Sequence, residues 1–307
     1  MRDHDSNAKH HVRREFQRAG AILRFYGLKT AARKATAYPG RVVASRLAYF
    51  RHRKRYPTNV VFMASFAKSG STWLTNMLAD LPGFSRYQPA GWTATLRGQP
   101  NEDLYAGIFE EVGRRLVVIK GHTNGTPENA EHLHALKQKY LLTVRDPRDQ
   151  LVSDYWYLRN HARHPSHELA MSLDLPSFIE HELDPRTAST RRTDWIRAWV
   201  ERRDHDLSML IRYEDLLQEP AVLLRQILDF LEFEVSDSRI SEIVTRNSFD
   251  TKSGRAAGIE DTRSFLRRGT AGEWREVFSE EHKRLFSSQD EDLVHALGYE
   301  PTSGDRE

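Results

Sequence analysis

The chain has 307 residues, which is enough for one large domain or two small ones with a buried core. It contains no cysteine, and this excludes disulfides, zinc–thiolate sites, iron–sulfur clusters and thiol nucleophiles. Residues 1–57 carry 15 Lys/Arg and 3 Asp/Glu, whereas the remaining residues carry 31 and 40, so a basic arm of net charge +12 precedes an acidic body of net charge −9. No segment has the length and apolarity of a membrane span or a signal peptide, and we therefore expect a cytoplasmic protein.

The basic arm, residues 1–57, has apolar residues at helical spacing and is interrupted by Pro39 and Gly40. The apolar residues of the two predicted helices are Phe16, Leu23, Tyr26, Val43, Leu47 and Phe50. Two interpretations are open: the arm packs on the acidic body, which we favour, or it lies on an anionic membrane surface. A nucleic-acid partner is not expected, because no recognition motif accompanies the basic charge.

Beyond the arm, apolar runs typical of strands alternate with helical segments. Strands are predicted at 60–65, 115–120, 140–145 and 207–216, and helices at 71–81, 127–139, 148–162 and 220–231. Since the strands are continuously apolar, the pattern predicts a parallel sheet that is covered by helices on both faces. We therefore predict one α/β domain over residues 58–307, with polar loops at 186–193 and 251–264.

The segment "FAKSGSTW" (66–73) joins the first predicted strand to the first predicted helix. The start of a helix carries unpaired N–H groups and a partial positive charge, so this loop can bind an anion such as a phosphate. Small residues allow the backbone to wrap closely, two hydroxyl groups add donors, and a lysine adds a point charge. The residues expected at the anion are Lys68, Ser69, Gly70, Ser71 and Thr72.

The loop differs from a Walker A phosphate loop, in which the lysine follows the second glycine. Here Lys68 precedes Gly70, and Ser65 occupies the position of the first glycine. The pattern therefore does not imply the Mg²⁺ geometry of the enzymes that use nucleoside triphosphates. On the pattern alone, a metal-free phosphate site and an ordinary strand-to-helix turn are equally open.

The sequence resembles the soluble sulfotransferase family, whose members use 3′-phosphoadenosine 5′-phosphosulfate (PAPS). The segments that carry the resemblance are "FAKSGSTW" (66–73), "IKGHTN" (119–124), "RDPRDQLVSDYW" (145–156), "IRYEDL" (211–216) and "LRRGTAGEW" (266–274), in the order of the family. The first of them has Ala67 where the family usually has proline. The resemblance extends over about residues 58–290, and it implies the fold of that family, a parallel sheet related to that of the P-loop NTPases.

The resemblance implies that PAPS is the co-substrate and that no metal ion is needed. The loop at 66–73 is then the binding site of the 5′-phosphosulfate. The residues implied for the 3′-phosphate are Arg145, Ser153, Arg267, Arg268 and Gly269, and those implied for the adenosine are Trp73, Tyr213 and Phe249. From the residues alone, Arg145 also fits a capped helix start with local ion pairs, and the two later arginines also fit a solvated basic turn.

The chemistry is implied by the resemblance as well. His122 follows the predicted strand 115–120, and it matches the histidine that takes the proton of the acceptor hydroxyl as a general base. Lys68 and Lys120 would stabilise the negative charge that develops on the bridging oxygen and on the transferred group. Ser153 would hold Lys68 away from the co-substrate until the acceptor binds. With 14 histidines in the chain, a structural role for His122 also stays open.

No motif identifies the acceptor, which we expect to be a small-molecule or lipid-linked hydroxyl compound. Segments 80–100 and 158–192 are expected to wall its pocket, and 250–265 to cover the co-substrate. Two other functions remain open. A P-loop-like kinase would use ATP and Mg²⁺, and a non-catalytic adaptor would bind the nucleotide without transferring anything.

Two further patterns bear on metal ions and on oligomers. His161, His164 and His167 are spaced three apart, but Pro165 interrupts the helix and no acidic or thiol partner accompanies them, so we predict no metal site. The dimerisation pattern of the family, K-x-x-x-T-V-x-x-x-E, is not matched in residues 274–286. The sequence therefore leaves the oligomeric state open.

Overall fold

The computed structural model describes residues 47–89, 91–94, 100–162, 164–184, 186–187, 192–286 and 288–302. Most of the basic arm lies outside these ranges, and so do the helical residues predicted for it before Leu47. No helix within these ranges is long and apolar enough to cross a lipid bilayer.

A five-stranded parallel sheet forms the centre of the domain. The strands of the chain are β1 (Val60–Ser65), β2 (Phe84–Tyr87), β3 (Thr93–Ala94), β4 (Pro100–Asn101), β5 (Leu116–Gly121), β6 (Tyr140–Val144) and β7 (Ser208–Arg212). The sheet has the order β2–β5–β1–β6–β7, and β3 and β4 form a separate antiparallel pair. The predicted parallel α/β fold is confirmed, although the short edge strand β2 is not predicted from the sequence.

Thirteen helices with assigned bounds surround the sheet in the part of the chain that the structure describes. They are α1 (Ser71–Ala79), α2 (Pro127–Ala135), α3 (Pro147–Arg159), α4 (His167–Ser172), α5 (Leu175–Leu183), α6 (Arg192–Arg202), α7 (Tyr213–Gln218), α8 (Pro220–Phe230), α9 (Asp237–Asn247), α10 (Phe249–Ser253), α11 (Trp274–Val277), α12 (Glu280–Leu285) and α13 (Ser288–Ala296). The strand predicted at 207–216 is wrong beyond Arg212, since α7 begins at the next residue. The predicted loops at 186–193 and 251–264 each include helical residues at one end.

Successive side chains of the central strand β1 enter two different cores, as expected for a sheet that is covered on both faces. Phe62 packs in one core with residues that include Ile119, and Met63 packs in the other with residues that include Leu74. Both Phe62 and Met63 are fully buried, and burying a side chain of this size contributes roughly 1.5–3 kcal/mol. The two cores fix the sheet, whose carboxyl edge then carries the loops described below.

The described end of the basic arm packs on the domain. Residues 47–52 are helical, and Tyr56 is buried. The ring of Tyr56 lies 5.0 Å from that of Phe84 and 4.7 Å from that of Phe233 between centroids. Its hydroxyl donates a hydrogen bond of 3.2 Å to the carbonyl of Pro82. This part of the arm therefore belongs to the folded unit.

Candidate functional site

A cavity of about 930 Å³ lies at the carboxyl edge of the sheet, where β1, β5 and β6 end. Ligands of open parallel sheets bind at this edge. All the residues predicted for the site line the cavity except Ser69. The residues that line it as predicted are Lys68, Gly70, Ser71, Thr72, Trp73, Lys120, His122, Arg145, Ser153, Tyr213, Phe249, Arg267, Arg268 and Gly269. Six segments that are distant in the sequence therefore meet around one cavity.

The loop between β1 and α1 has the tight conformation that a phosphate loop needs. Its backbone is left-handed at Lys68, with φ 65°, and at Gly70, with φ 77°. A Cβ atom at position 70 would lie 2.5 Å from Cδ2 of Tyr213, so only glycine fits there. The N–H of Trp73 donates to the carbonyl of Gly70 at 2.9 Å. The N–H groups before it have no partner within α1 and are available to an anion.

The side chain of Ser69 points into this loop and stabilises it through hydrogen bonds. Its hydroxyl donates a hydrogen bond of 2.9 Å to the carbonyl of Phe66, and it accepts one of 2.7 Å from the side-chain amide of Gln150. The same amide donates to the carbonyl of Ala67 at 3.2 Å. Because these bonds turn the side chain inward, Ser69 is buried and does not line the cavity, so of its groups only the backbone N–H is left for the predicted contact with the anion.

Lys68 is held between two aromatic rings. Its ammonium nitrogen lies 4.4 Å from the ring centroid of Tyr157 and 4.5 Å from that of Phe265, and such contacts stabilise a desolvated cation. Among the described residues it forms no hydrogen bond, so the predicted contact with Ser153 is not made in this structure. Burial lowers the pKa of Lys68 to about 8, against the opposing attraction of Asp154. An amine with that pKa titrates within the range of ordinary assays.

His122 follows the end of β5 with its ring held in one orientation. Its Nδ1 lies 2.7 Å from the carbonyl oxygen of Ser65, and a carbonyl oxygen only accepts hydrogen bonds. Nδ1 therefore carries the proton, and Nε2 has a lone pair that can accept another. Burial, and then the positive charge of Lys120, lower the pKa of His122 to about 4. The ring is neutral at physiological pH, as a proton acceptor must be.

Glu102 links His122 to Lys120. The backbone N–H of His122 donates to the carboxylate of Glu102, and the hydroxyl of Thr123 donates to the carbonyl of Glu102 at 2.7 Å. Burial lowers the pKa of Lys120, while the charge of Glu102 raises it. Lys120 places a positive charge near His122, and the hydrogen bonds of Glu102 fix the backbone at the histidine. Sequence reasoning did not identify Glu102, because it precedes β5 and belongs to no motif.

Arg145 follows the last residue of β6 and also lines the cavity. It donates a hydrogen bond of 3.1 Å to the carbonyl of Thr270 and lies 3.6 Å from the carboxylate of Asp149. Its guanidinium lies 4.5 Å from the ring centroid of Tyr213. Its Nε is buried without a hydrogen-bond partner, and the same holds for the indole N–H of Trp73. Buried donors without partners are rare in proteins, so this end of the cavity fits a ligand rich in acceptor atoms.

Asp149 binds the backbone of the segment "LRRGTAGEW" (266–274) and so holds it beside the cavity. Its carboxylate accepts hydrogen bonds from the N–H of Gly272 at 2.6 Å and from the N–H of Trp274 at 2.9 Å. Within this segment Gly269 has φ 68°, and a Cβ atom there would lie 2.5 Å from Cδ2 of Phe249. The segment "LRRGTAGEW" is thus placed by α3, and Gly269 allows it to approach the ring of Phe249 closely.

Arg267 and Arg268 line the cavity, but each is paired with carboxylates. Arg267 binds Glu273 and Glu260, and Arg268 lies 3.2 Å from Glu276 and 3.6 Å from Glu273. The two arginines therefore belong to an ion-pair network, and their predicted role at the 3′-phosphate stays a prediction. An incoming phosphate would share or replace these carboxylates.

The sequence did not reveal an ionic cluster on the opposite wall of the cavity. Arg192, at the start of α6, donates at 2.6 Å to Asp154 of α3 and at 2.9 Å to Glu182 of α5. Arg192 is 6% exposed, and all three side chains line the cavity. The predicted wall at 158–192 is consistent with this cluster. Of the predicted wall at 80–100, residues 80–89, 91 and 92 do not line the cavity, since they lead into and out of β2.

The three spaced histidines have other partners. His161 hydrogen-bonds the carbonyl of Tyr157 at 2.6 Å, and His167 that of Leu158 at 2.8 Å, so both rings satisfy carbonyl groups near the end of α3. Within the described ranges, no group of three or more His, Asp or Glu residues is arranged to hold a metal ion.

Comparisons with known proteins agree on one family. The sequence model of the "Sulfotransferase domain" family matches residues 58–297. Sulfotransferase 2A1 of Rattus norvegicus is 24% identical over 251 residues, which cover 74% of this chain and 81% of that protein. The crystal structure of mouse sulfotransferase SULT7A1 complexed with PAP has a TM-score of 0.60 at 22% identity, covering 82% of this chain and 89% of the other. The crystal structure of retinol dehydratase in a complex with retinol and PAP has a TM-score of 0.53 at 21% identity. This match covers 80% of this chain and 85% of the other.

Proposed function

Since the chain belongs to the sulfotransferase domain family, we propose that it transfers the sulfuryl group of PAPS to an acceptor hydroxyl, with His122 as the general base. The observation that carries the proposal is the position of His122. Its Nε2 lone pair belongs to a neutral ring in the same cavity that the loop at Lys68 lines. The cavity therefore brings together an anion-binding helix start, two lysines and a proton acceptor.

The lining of the cavity fits the two phosphates of PAPS. The loop at 66–73 would bind the 5′-phosphosulfate through the N–H groups at the start of α1 and through Lys68. Arg145, Ser153 and Arg268 would bind the 3′-phosphate, and the rings of Trp73 and Tyr213 would contact the adenosine. The buried N–H of Trp73 and the buried Nε of Arg145 support this assignment, because both lack partners.

His122, Lys68 and Lys120 would each have a separate role in the transfer of the sulfuryl group. The acceptor oxygen forms its bond to sulfur while the bond from sulfur to the 5′-phosphate oxygen breaks, so that 3′,5′-ADP leaves. Nε2 of His122 takes the acceptor proton, and the Nδ1–H bond to Ser65 keeps that nitrogen turned to the cavity. Lys68 and Lys120 stabilise the charge that develops on the leaving oxygen and on the sulfonate.

The two alternatives find less support. A kinase would need a Walker glycine at position 65, where the chain has serine, and the family comparison does not favour it. A non-catalytic adaptor would not need a neutral histidine in the same cavity as two partly buried lysines. Thermal shifts distinguish the kinase, which would respond to ATP with Mg²⁺, from a sulfotransferase, which would respond to 3′,5′-ADP.

The direct test is transfer of label from [³⁵S]PAPS to a panel of alcohols, phenols and amines. We expect labelled product from at least one acceptor, calorimetric binding of 3′,5′-ADP, and no effect of EDTA. Lys68→Ala should cut the transfer rate sharply, since it removes a charge from the loop. Absence of heat with 3′,5′-ADP, or near-normal transfer by the Lys68 variant, would refute the proposal.

The basic arm offers a second, separate hypothesis, which is contact with a membrane surface. Its charge of +12 supports an anionic partner, whereas the packing of Tyr56 supports attachment of its end to the domain. Sedimentation with anionic vesicles tests the point on the intact chain and on a deletion of residues 1–46, which leaves Tyr56 in place. No sedimentation of the intact chain would end the hypothesis.

A further inference from the structure

Part of the cavity wall near His122 is aromatic. Two aromatic side chains that line the cavity are tied to residues that contact or adjoin the histidine. Phe66 follows Ser65, whose carbonyl binds the ring of His122, and the indole N–H of Trp195 donates at 3.0 Å to the carbonyl of Thr123. The rings of Phe66 and Trp195 lie 5.9 Å apart in an edge-to-face contact, and both line the cavity. This aromatic corner marks the end of the cavity where an acceptor meets the base.

The ionic cluster of Arg192, Asp154 and Glu182 stands against this corner. The guanidinium of Arg192 lies 5.6 Å from the ring centroid of Phe66. Asp154 also acts electrostatically on both His122 and Lys68, as expected for a carboxylate close to the reacting groups. The acceptor end therefore contains two carboxylates and one guanidinium, all within the cavity lining.

Asp154 keeps one oxygen for other partners, whereas Oε1 of Glu182 lies 3.5 Å from Nδ1 of His181. Arg192 binds Oδ2 of Asp154 and Oε2 of Glu182. Among the described residues, Asp154 has no other hydrogen-bonding partner, so its Oδ1 can accept bonds from an acceptor molecule. A carboxylate accepts hydrogen bonds and repels other anions, while an apolar molecule placed against it would remove its water and return no hydrogen bond.

We infer that the acceptor is a neutral, hydroxyl-rich molecule such as a glycoside, an inference that rests on the proposed sulfotransferase function. Its hydroxyl groups donate to Asp154 and Glu182, and the C–H face of its ring packs in the corner of Phe66 and Trp195. One further hydroxyl is then presented to His122. An anionic group on the sugar is disfavoured where it would meet Asp154 or Glu182, which share the single guanidinium of Arg192.

The test compares acceptors that share a phenyl group. With [³⁵S]PAPS, phenyl β-D-glucoside and phenyl β-D-galactoside are measured against 2-phenylethanol, phenethylamine and phenyl β-D-glucuronide. At least one glycoside should exceed 2-phenylethanol by about 100-fold or more in kcat/KM, because a site built to bind hydroxyls discriminates strongly against analogues that lack them. A glucosyl lipid in vesicles is a second source of the same chemistry, and sulfation of either source supports the inference.

Variants test the cluster itself. Asp154→Asn and Glu182→Gln keep the shape of the side chains but remove their charge, and each should lower kcat/KM for the glycoside by about tenfold. Glu180→Gln is the matched control, because Glu180 is exposed on the same helix as Glu182 and its partner, His282 at 3.7 Å, does not line the cavity. Calorimetry with 3′,5′-ADP on every variant shows whether the nucleotide half of the cavity is intact.

The outcomes separate the two proposals. Equal or faster sulfation of 2-phenylethanol or phenethylamine, or absence of glycoside sulfation while 3′,5′-ADP still binds, overturns the inference about the acceptor. Unchanged glycoside kinetics in both cluster variants overturns it as well. Failure of the unmodified protein to bind 3′,5′-ADP instead refutes the proposed function.

Discussion

The pKa values of Lys68 and His122 predict an unusual dependence of kcat/KM on pH. For the free enzyme this ratio should require a neutral His122, with a pKa of about 4, and a protonated Lys68, with a pKa of about 8. At pH 5 a histidine with the ordinary pKa of 6.5 would be only about 3% neutral, whereas one with a pKa near 4 stays about 90% neutral. The two cases differ about 30-fold in the expected rate at that pH.

At high pH, kcat/KM should fall because Lys68 loses the proton that it needs. At pH 9, one unit above the pKa of Lys68, about a tenth of the lysine remains protonated, so kcat/KM should fall about tenfold. Once PAPS binds, its phosphates favour the protonated lysine, and the limb in kcat should therefore lie at higher pH than the limb in kcat/KM. Lys68→Arg should remove the alkaline limb, since arginine stays charged throughout this range.

The assay measures initial rates of labelled sulfuryl transfer between pH 5 and 10 with an alcohol that does not titrate in this range. A rate that is flat from pH 5 to 7 and falls above pH 8 supports the reasoning. An acid limb near pH 6.5 would show that His122 is not desolvated as the structure indicates. An alkaline limb that persists in Lys68→Arg would exclude the lysine as its origin.

Three further substitutions have definite expected effects. Gly70→Ala should lower the Tm and weaken 3′,5′-ADP binding by tenfold or more because of the collision with Tyr213, whereas Gly254→Ala, also at positive φ but in open space, should cost only about 1–2 kcal/mol of unfolding free energy. Asp149→Asn should destabilise by about 1–3 kcal/mol in urea unfolding and weaken nucleotide binding, since the carboxylate accepts two backbone N–H bonds. Tyr157→Leu should lower kcat by removing a ring from the lysine, and Tyr157→Phe should retain activity.

Each of these expectations has a result that would contradict it. Equal Tm losses in the two glycine variants would mean that the collision with Tyr213 is relieved by movement of the ring. Normal nucleotide affinity in Asp149→Asn would show that the C-terminal segment is held by other contacts. If Tyr157→Leu and Tyr157→Phe behave alike, the contact of the lysine with the ring does not affect catalysis.

The parallel sheet could be predicted because its central strands are continuously apolar and are followed by helices. The edge strand β2 could not, because "FSRY" is short and has two polar residues between its two aromatic ones, which is not the alternation of a strand. The helix α7 was predicted as part of a strand, and contacts from elsewhere stabilise its start. Glu214 accepts hydrogen bonds from the N–H of Asp146 at 3.1 Å and from the hydroxyl of Tyr299 at 2.9 Å.

The nucleotide side of the site could be predicted from short segments. Its features, a loop, a strand end and a glycine, each depend on residues that are neighbours in the sequence. The acceptor side could not. Arg192, Asp154 and Glu182 come from three helices with no fixed spacing, and their meeting depends on how those helices pack. The ring of Tyr157 at Lys68 and the inward turn of Ser69 likewise depend on α3, which lies about 80 residues further along the chain, and the second ring at Lys68, Phe265, comes from still further along the sequence.

The most direct test of the account is the single-turnover rate of labelled sulfuryl transfer in His122→Ala, with the Kd of 3′,5′-ADP measured on the same sample. We predict a Kd within about twofold of that of the unmodified protein and a rate that is lower by about 10²–10⁴, the usual contribution of a positioned general base. A variant that binds the nucleotide normally and transfers the sulfuryl group at an unchanged rate would contradict the account.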